Sequence, residues 1–427
     1  MKLLPDTWHQ RYTMMTLMLT ALLLCYVDRI IVSLAAIEMQ KEFGWSDSEK
    51  GLVLSTFFLG YLLMQTLGGL ISNRFGGRNI FMIAVVLWSL FTVLTPMAAY
   101  VSFGFLIFAR VMLGIGEGAS FPSAYNLIHG WMPVRERSRS IGSMNAASAV
   151  GTVGTLLVAG KIIEVFGWPS VFYLFGTMGF IWAVFWVRKV ASSPVPPDDE
   201  TSKTGSERKI PIPWKLLLTH PSVITIYIVS ICAGGISFTM ASWLPSYFVD
   251  TFGLSLAMAG IYSILPWIMV AVSGVLAGLY QDRSVDAGQI VIKVRKRVTI
   301  FGFGIIAISA LALTFAAQAW IAVAVVCLMF TGLGIAVNGY SPTAAELLPK
   351  HGDIFYGFAA AAGSLAAALI VSVTGVLLDR TGSYDLLYEG IAGFSVVAAI
   401  IYMIFARADS LYAQPDSKTP EEEPNNV

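Results

Sequence analysis

Apolar runs long enough to cross a lipid bilayer recur along the whole chain, and this feature narrows the possible folds more than any other. A helix needs roughly 20 apolar residues to span about 30 Å of hydrocarbon. Twelve segments have that character: 12–36, 51–72, 79–98, 103–129, 139–164, 168–188, 221–248, 256–280, 298–317, 319–348, 354–379 and 385–406. In hydrocarbon each backbone polar group must be satisfied internally, which leaves only helices or a closed barrel. Continuous runs of this length are helical, because barrel strands are about half as long and alternate. The composition agrees: of 427 residues, 56% are hydrophobic and only 12% charged, about half the charged share of a soluble domain. The fold class expected is an all-α polytopic membrane protein with 12 transmembrane helices.

The polar segments organise these spans. Lysine and arginine gather on one side of the expected membrane, 21 against four, with Arg29 and Arg110 left inside spans. Basic residues mark the cytoplasmic side, so both termini are expected there. The longest polar stretch, about 190–219, includes "SSPVPPDDETSKTGSERK" and reads as a flexible linker. It divides the chain into two six-helix halves, 1–189 and 220–409, followed by an acidic tail, 410–427, of disordered composition. An internal repeat supports the division: "GGLISNRFGGR" (Gly68 to Arg78) in the first half and "GLYQDR" (Gly278 to Arg283) in the second. Two such halves around a central cavity make a secondary-transporter architecture. The first apolar run carries no small-residue cleavage site and reads as a retained span.

Several features read as structural. Cys25, Cys232 and Cys327 lie far apart within apolar runs and are expected as small core residues. His9, His129, His220 and His351 lack metal-ligand neighbours, so no metal site is assigned. "KVRKR" (Lys293 to Arg297) and the arginines Arg135, Arg137 and Arg139 are accounted for by orientation. Asp379 and Arg380 are expected to form a surface pair at the end of the eleventh span.

Four charges resist that treatment. "LCYVDRIIVSL" (Leu24 to Leu34) places Asp28 and Arg29 inside the first span, and the fourth contains Arg110 and Glu117. Charges at such depth are costly and mark ion or substrate pathways; the alternative is a static ion-pair network joining the first and fourth spans. Arg110 and Glu117 are seven residues apart and share a helical face. Arg110 is expected to bridge Asp28 and Glu117 for part of a transport cycle, leaving Arg29 to face the cavity. Arginine stays charged and can hold a carboxylate through two hydrogen bonds, while Asp28 and Glu117 can each take up a proton where burial disfavours the charge. Tyr26, Tyr61 and Asn145 are the next binding candidates, and Trp243, Asn338, Tyr340 and Ser341 the candidates for the opposite cavity wall. For all seven, packing between helices is the alternative role.

Longer stretches carry a resemblance. "GGLISNRFGGR" resembles the loop signature of the major facilitator superfamily. "RVMLGIGEGASFPSAYNLIHGWMPVRERSRS" (Arg110 to Ser140), "GWPSVFYLFG" (Gly167 to Gly176) and "SWLPSYF" (Ser242 to Phe248) are similar to the fourth, sixth and seventh helices of its anion:cation symporter family. The resemblance runs from about Tyr12 to Arg407 and implies the major facilitator fold. It implies anion binding at Arg29 and proton coupling at Glu117, with Asp28 matching an acid of the bacterial branch. It also implies a conformational loop carried by Asn73, Arg74 and Arg78, with Asp282 and Arg283 as the second copy. Two departures are visible: Asn73 stands where the signature carries Asp, and small residues stand where the sugar-acid branch carries an amide near Ser148 and an asparagine near Ala360 or Ser364.

The function expected is proton-coupled symport of a small organic anion, of the carboxylate, sugar-acid or aromatic-acid class, by alternating access. Uniport, exchange and sodium coupling on the same fold stay open, as does a ligand sensor without transport. No nucleophile–base pair or metal motif at cavity depth suggests an enzyme. The expected partners are the anion, the proton as coupling ion and the lipid bilayer, with no cofactor and no nucleic acid. A monomer in a bacterial inner membrane is expected.

Overall fold

The computed structural model describes residues 6–190, 214–348 and 352–407. Residues 191–213 of the expected linker, the acidic tail, Lys350 and His351 lie outside the described residues. The described chain is helical throughout. The first half comprises α1 (Asp6–Phe43), α2 (Asp47–Phe75), α3 (Gly77–Val101), α4 (Phe103–Gly118), α5 (Ser120–Trp131), α6 (Val134–Phe166) and α7 (Pro169–Lys189). The short α8 (Trp214–Thr219) precedes α9 (Pro221–Phe252), α10 (Leu256–Asp286), α11 (Val291–Leu313), α12 (Ala319–Leu347), α13 (Gly352–Thr381) and α14 (Asp385–Phe405). Eleven spans among the described residues are long and apolar enough to cross a membrane, and α2 makes a twelfth although it bends by 48° between Gln65 and Leu67.

The helices overrun the limits set by hydropathy, because a helix continues past the hydrocarbon to its cap. The α1–α2 turn shows this. Ser46 and Glu49 form a reciprocal capping box that starts α2 four residues before the apolar run expected from residue 51. The fourth span, expected as one helix over 103–129, is interrupted at Ala119 between α4 and α5. Pro122 explains the break: it has no N–H to donate to the Gly118 carbonyl four residues earlier.

The start of α1 and the end of α14 define a terminal side; the α1–α2 turn lies on the far side. The halves meet chiefly through α2 against α13, α6 against α10 and α1 against α9. Small residues permit these crossings. A Cβ on Gly51 would lie 3.2 Å from the Val371 carbonyl, and one on Gly160 would lie 2.5 Å from that of Leu256.

At the far side two acids cap helices of the opposite half. Asp379, at the end of α13, accepts the N–H groups of Asp47 (2.8 Å) and Ser48 (2.9 Å) and the Ser48 hydroxyl, all on the first turn of α2. Glu164, at the end of α6, accepts the Ala257 N–H at the start of α10 (3.0 Å). Each acid stands three residues before a glycine of positive φ, Gly167 at 78° and Gly382 at 65°. The two ties are thus copies of one device in the internal repeat. Asp379 does not form the surface pair with Arg380 expected from their adjacency, because four unpaired N–H groups begin every helix and attract a carboxylate.

Lys50, one turn into α2, completes the seam. It is fully buried. Its Nζ donates to Gln40 Oε1 (2.7 Å), lies 3.3 Å from Asp47 and 3.8 Å from Asp250 of the other half, and sits 4.8 Å from the Trp243 ring centre. Tyr384 donates to the same Asp250 oxygen at 2.9 Å. Burial and that carboxylate hold the Tyr384 hydroxyl well above its ordinary pKa, so it remains a donor. Phe58 and Phe238 meet across the halves at 5.0 Å nearer the middle. In this conformation these contacts join the halves at the far side.

Candidate functional site

The site is assembled by α1, α2 and α4. One turn of α1 supplies Cys25, Tyr26, Asp28 and Arg29, and α4 supplies Glu117 one residue before its end. The α2–α4 contact is made at backbone distance. A Cβ on Gly114 would strike the Phe57 carbonyl, and one on Gly118 would lie 2.5 Å from the Tyr61 carbonyl. Two glycines four residues apart are therefore what bring Phe57 and Tyr61 against the acid-bearing helix.

Arg29 and Glu117 form a buried ion pair. Glu117 Oε2 accepts Arg29 Nη2 at 2.9 Å and Nε at 3.3 Å, and also the Cys25 thiol at 3.3 Å. Its other oxygen, Oε1, has no partner among the described residues. The guanidinium lies among three rings, with Cζ 4.6 Å from the centre of Tyr61, 4.8 Å from Tyr26 and 5.2 Å from Phe57. Aromatic faces stabilise a poorly hydrated cation, so Arg29 is held in place by more than its carboxylate. Tyr61 stacks on Phe57, and Tyr26 meets Phe121 of α5 edge-on.

In this conformation the pairing is not the Arg110 bridge expected for part of the cycle. Arg29, not Arg110, holds Glu117. Arg110 donates to the Val53 carbonyl at 3.1 Å, lies over Phe57 and leaves Nη1 without a partner among the described residues. Sharing a helical face with Glu117 is not enough, because seven residues separate the two by about 10 Å along the axis. Arg29 reaches Glu117 from the neighbouring helix at its own level. Asp28 is buried with Thr92 and Arg110 as neighbours, and its Oδ1 is also unpartnered. Two arginines and two acids thus lie buried beside one another, with a single ion pair between them among the described residues.

Other expected residues fall elsewhere. Asn145 is exposed on α6 and Ser148, on the same helix, lies beside Tyr26. Trp243 lies in the far-side seam and donates to the Val371 carbonyl at 3.1 Å, so it is not part of this site. Asn338 is turned into α10–α12 packing: its side-chain Nδ2 donates to Gly334 O at 3.0 Å, and its backbone carbonyl accepts from Gln281 Nε2 at 3.1 Å. Tyr340 is buried and Ser341 half-buried on α12. In the terminal-side loops, Asn73 accepts from the Asn126 amide (2.7 Å), Arg78 donates to the Val190 carbonyl (2.9 Å) and Arg74 lies over Phe75. Asp282 and Arg283 are exposed. Where the loop signature carries Asp, an amide pair between Asn73 and Asn126 ties α2 to α5.

Three contributors escaped the sequence reading: Cys25 as a donor to Glu117, Phe57 as part of the aromatic bed, and Lys50 in the seam. For Phe57 a signal existed, since it stands four residues before Tyr61 on one helical stripe. Among the described residues no group of three or more His, Cys, Asp or Glu is placed to hold a metal.

Comparison with known proteins agrees with this architecture. The family model described as Major Facilitator Superfamily matches residues 17–369. The chain is 35% identical over 421 residues to "Probable anion transporter 4, chloroplastic" of Oryza sativa subsp. japonica, covering 95% of this chain and 70% of the relative. It is 33% identical over 418 residues to "Ascorbate transporter, chloroplastic" of Arabidopsis thaliana (95% and 77% covered). It is 31% identical over 418 residues to "Sodium-dependent phosphate transport protein 1, chloroplastic" of the same plant (95% and 81% covered). A crystal structure of a D-xylose–proton symporter shares the fold, with a TM-score of 0.75 at 18% identity over 93% of this chain and 98% of the other.

Proposed function

This chain belongs to the major facilitator superfamily and, within it, to the anion:cation symporter family, and from that premise we propose that it carries a small organic anion together with a proton. It is an integral membrane anion transporter and not an enzyme. The coupling is our own reading, and it rests on one observation: Arg29 is already occupied by a carboxylate that belongs to the protein.

An incoming anion and Glu117 compete for the same guanidinium. A substrate carboxylate that takes Arg29 leaves Glu117 in a buried volume without its ion pair. An uncompensated charge at that depth costs several kcal/mol, and taking up a proton removes it. The loaded site then holds one more anion and one more proton than the empty site, so its net charge is unchanged when the halves rock. Release of the anion returns Arg29 to Glu117 and expels the proton. Asp28, buried beside Arg110, is a second proton acceptor on the same path.

The relatives named for ascorbate and for sodium-dependent phosphate transport favour an anion and leave two coupling ions to separate. The sidedness we propose places both termini in the cytoplasm, on the basic side, in a bacterial inner membrane, with the protein acting as a monomer. The far side is then the outer face, and an outside-acid gradient drives import.

The test is uptake into liposomes containing a pH dye, with ascorbate, phosphate and a panel of carboxylates offered under an imposed proton gradient or an imposed sodium gradient. Anion-dependent acidification of the lumen, independent of sodium, is the expected result. Anion uptake driven by sodium with no proton movement would replace this reading with the sodium-coupled one.

A further inference from the structure

A cavity of about 470 Å³ lies away from the Arg29 site, in the second half, among α9, α13 and α14. Ile236 of α9 is buried at its base. Leu369, Val373 and Leu377 of α13 form one wall, and Gly390 and Phe394 of α14 the other. Leu369 and Val373 are exposed. The face of α13 that meets α2 is the opposite one: Val371 and Gly375, which approach the start of α2, stand well over 90° around the helix from Leu369 and Val373. The cavity therefore opens away from the other half, on the surface that meets lipid. Its wall offers a ligand no polar group. Thr374 donates to the Ile370 carbonyl at 2.7 Å, and the Cys232 thiol lies 3.8 Å from the Ser395 hydroxyl. Leu365 and Leu377, both in its lining, are about 18 Å apart along α13, close to the roughly 15 Å depth of hydrocarbon in one leaflet.

A cation stands at the far-side end of this groove. Arg380 follows Val373 by seven residues and Leu377 by three, on the same stripe of α13. It is exposed. The other three basic residues of the far side have carboxylates beside them: Lys41 has Glu38 at 2.7 Å, Lys50 has Asp47 and Asp250, and Lys161 has Glu164 at 3.4 Å. Arg380 has no ion pair among the described residues. Its neighbour Asp379 is engaged by the start of α2, and Asp385 and Glu389 lie on the side of α14 opposite Leu387 and Phe394. We propose that the groove is a binding site for an anionic phospholipid of the far-side leaflet, with one acyl chain between α13 and α14 and the head-group phosphate on Arg380. Arginine suits a phosphate because its planar fork donates two parallel hydrogen bonds. With no acid turned toward the mouth, a head-group ammonium has nothing to answer it there, which favours a lipid of net negative charge over a zwitterionic one. An interfacial arginine also extends toward water without any partner; the lipid-sized groove in line with this one is what sets it apart. The site adjoins the far-side joint, since the residue before Arg380 is the acid that caps α2.

Native mass spectrometry of the purified full-length protein, titrated with phosphatidylglycerol or phosphatidylethanolamine of identical acyl chains, tests this. Wild type is expected to bind its first phosphatidylglycerol about fivefold more tightly than its first phosphatidylethanolamine. Arg380→Gln is expected to abolish that preference, Arg380→Lys to retain most of it, and Lys161→Gln, which alters another far-side cation, to leave it whole. Gly390→Leu tests the groove. A Cβ at Gly390 meets no heavy atom within 4 Å, so the new side chain takes up cavity space, and first-site affinity for both lipids is expected to fall about tenfold. Gly390→Ala, which leaves most of the cavity open, is expected to bind as wild type does. Equal affinity of wild type for the two lipids, or a preference that survives Arg380→Gln, would overturn the proposal. So would unchanged binding in Gly390→Leu, which would place the lipid elsewhere. Arg380 is exposed, so its variants keep the proposal open to refutation even where the groove variant fails to fold.

Discussion

Two groups of charges lie between or within the halves, and they are built differently. In the far-side seam the buried lysine and the capping aspartate are both answered. Lys50 has an amide oxygen, two carboxylates and an indole face around it, and Asp379 accepts three hydrogen bonds from the start of α2. In the central cluster the answers are incomplete. One oxygen of Glu117, one of Asp28 and one nitrogen of Arg110 are buried without partners among the described residues. A buried polar group left unpaired is costly, and three of them together in the central cluster are what the proposed reading assigns to an anion and a proton that come and go. On the proposed reading the satisfied group is a joint, and the unsatisfied one the transport site.

Substitutions can break that contrast. Arg29→Ala should have the largest effect. It removes charge-assisted bonds worth about 1.5–3 kcal/mol together with the guanidinium proposed to anchor the anion, and should lower anion affinity by about 100-fold in a binding titration. Gly118→Ala comes next, because its Cβ would lie 2.5 Å from the Tyr61 carbonyl. Overpacking of this kind costs about 1–3 kcal/mol, so thermal unfolding should shift downward. Asp379→Asn should weaken one joint and leave the site intact. A lost charged cap is worth about 0.5–2 kcal/mol, enough to raise the far-side-open population several-fold, read as a longer distance between spin labels at Lys41 and Thr251. Its proton coupling should not change, and if coupling were lost the distinction between joint and site would fail. Tyr61→Phe should be the mildest. It keeps the ring over Arg29 and with it the cation–π contact, so anion affinity should stay within about threefold of wild type, the range of one exposed hydrogen bond.

The fold was legible because hydrocarbon leaves so few options. Span number, the division into halves and the polar loops all follow from apolar length and basic residues. What hydropathy does not encode is where a helix stops. The cap at Ser46 and the break imposed by Pro122 are set by hydrogen bonding. In the site, Arg29, Glu117, Asp28, Tyr26 and Tyr61 were visible for a simple reason: charges and hydroxyls in an apolar run stand out. Their pairing was not visible. It depends on the depth at which α1 crosses α4, and a difference of two helical turns decides whether Arg29 or Arg110 reaches Glu117. Lys50 was missed and Asp379 misread for the opposite reason. A charge near a helix end is usually solvated, and only the approach of the other half turns these two into buried or capping groups. Trp243 and Asn338 stood out by residue type, and packing accounts for both.

The most direct test of the account is anion affinity as a function of pH, measured on wild type and on Glu117→Gln side by side. If the anion and Glu117 compete for Arg29, wild-type affinity should rise as the pH falls and Glu117 takes up its proton. The glutamine variant, which presents no charge to compete, should bind at every pH about as tightly as wild type does at its acid limit. A Glu117→Gln protein that keeps the full pH dependence of wild type would contradict the account and move the coupling proton to another group.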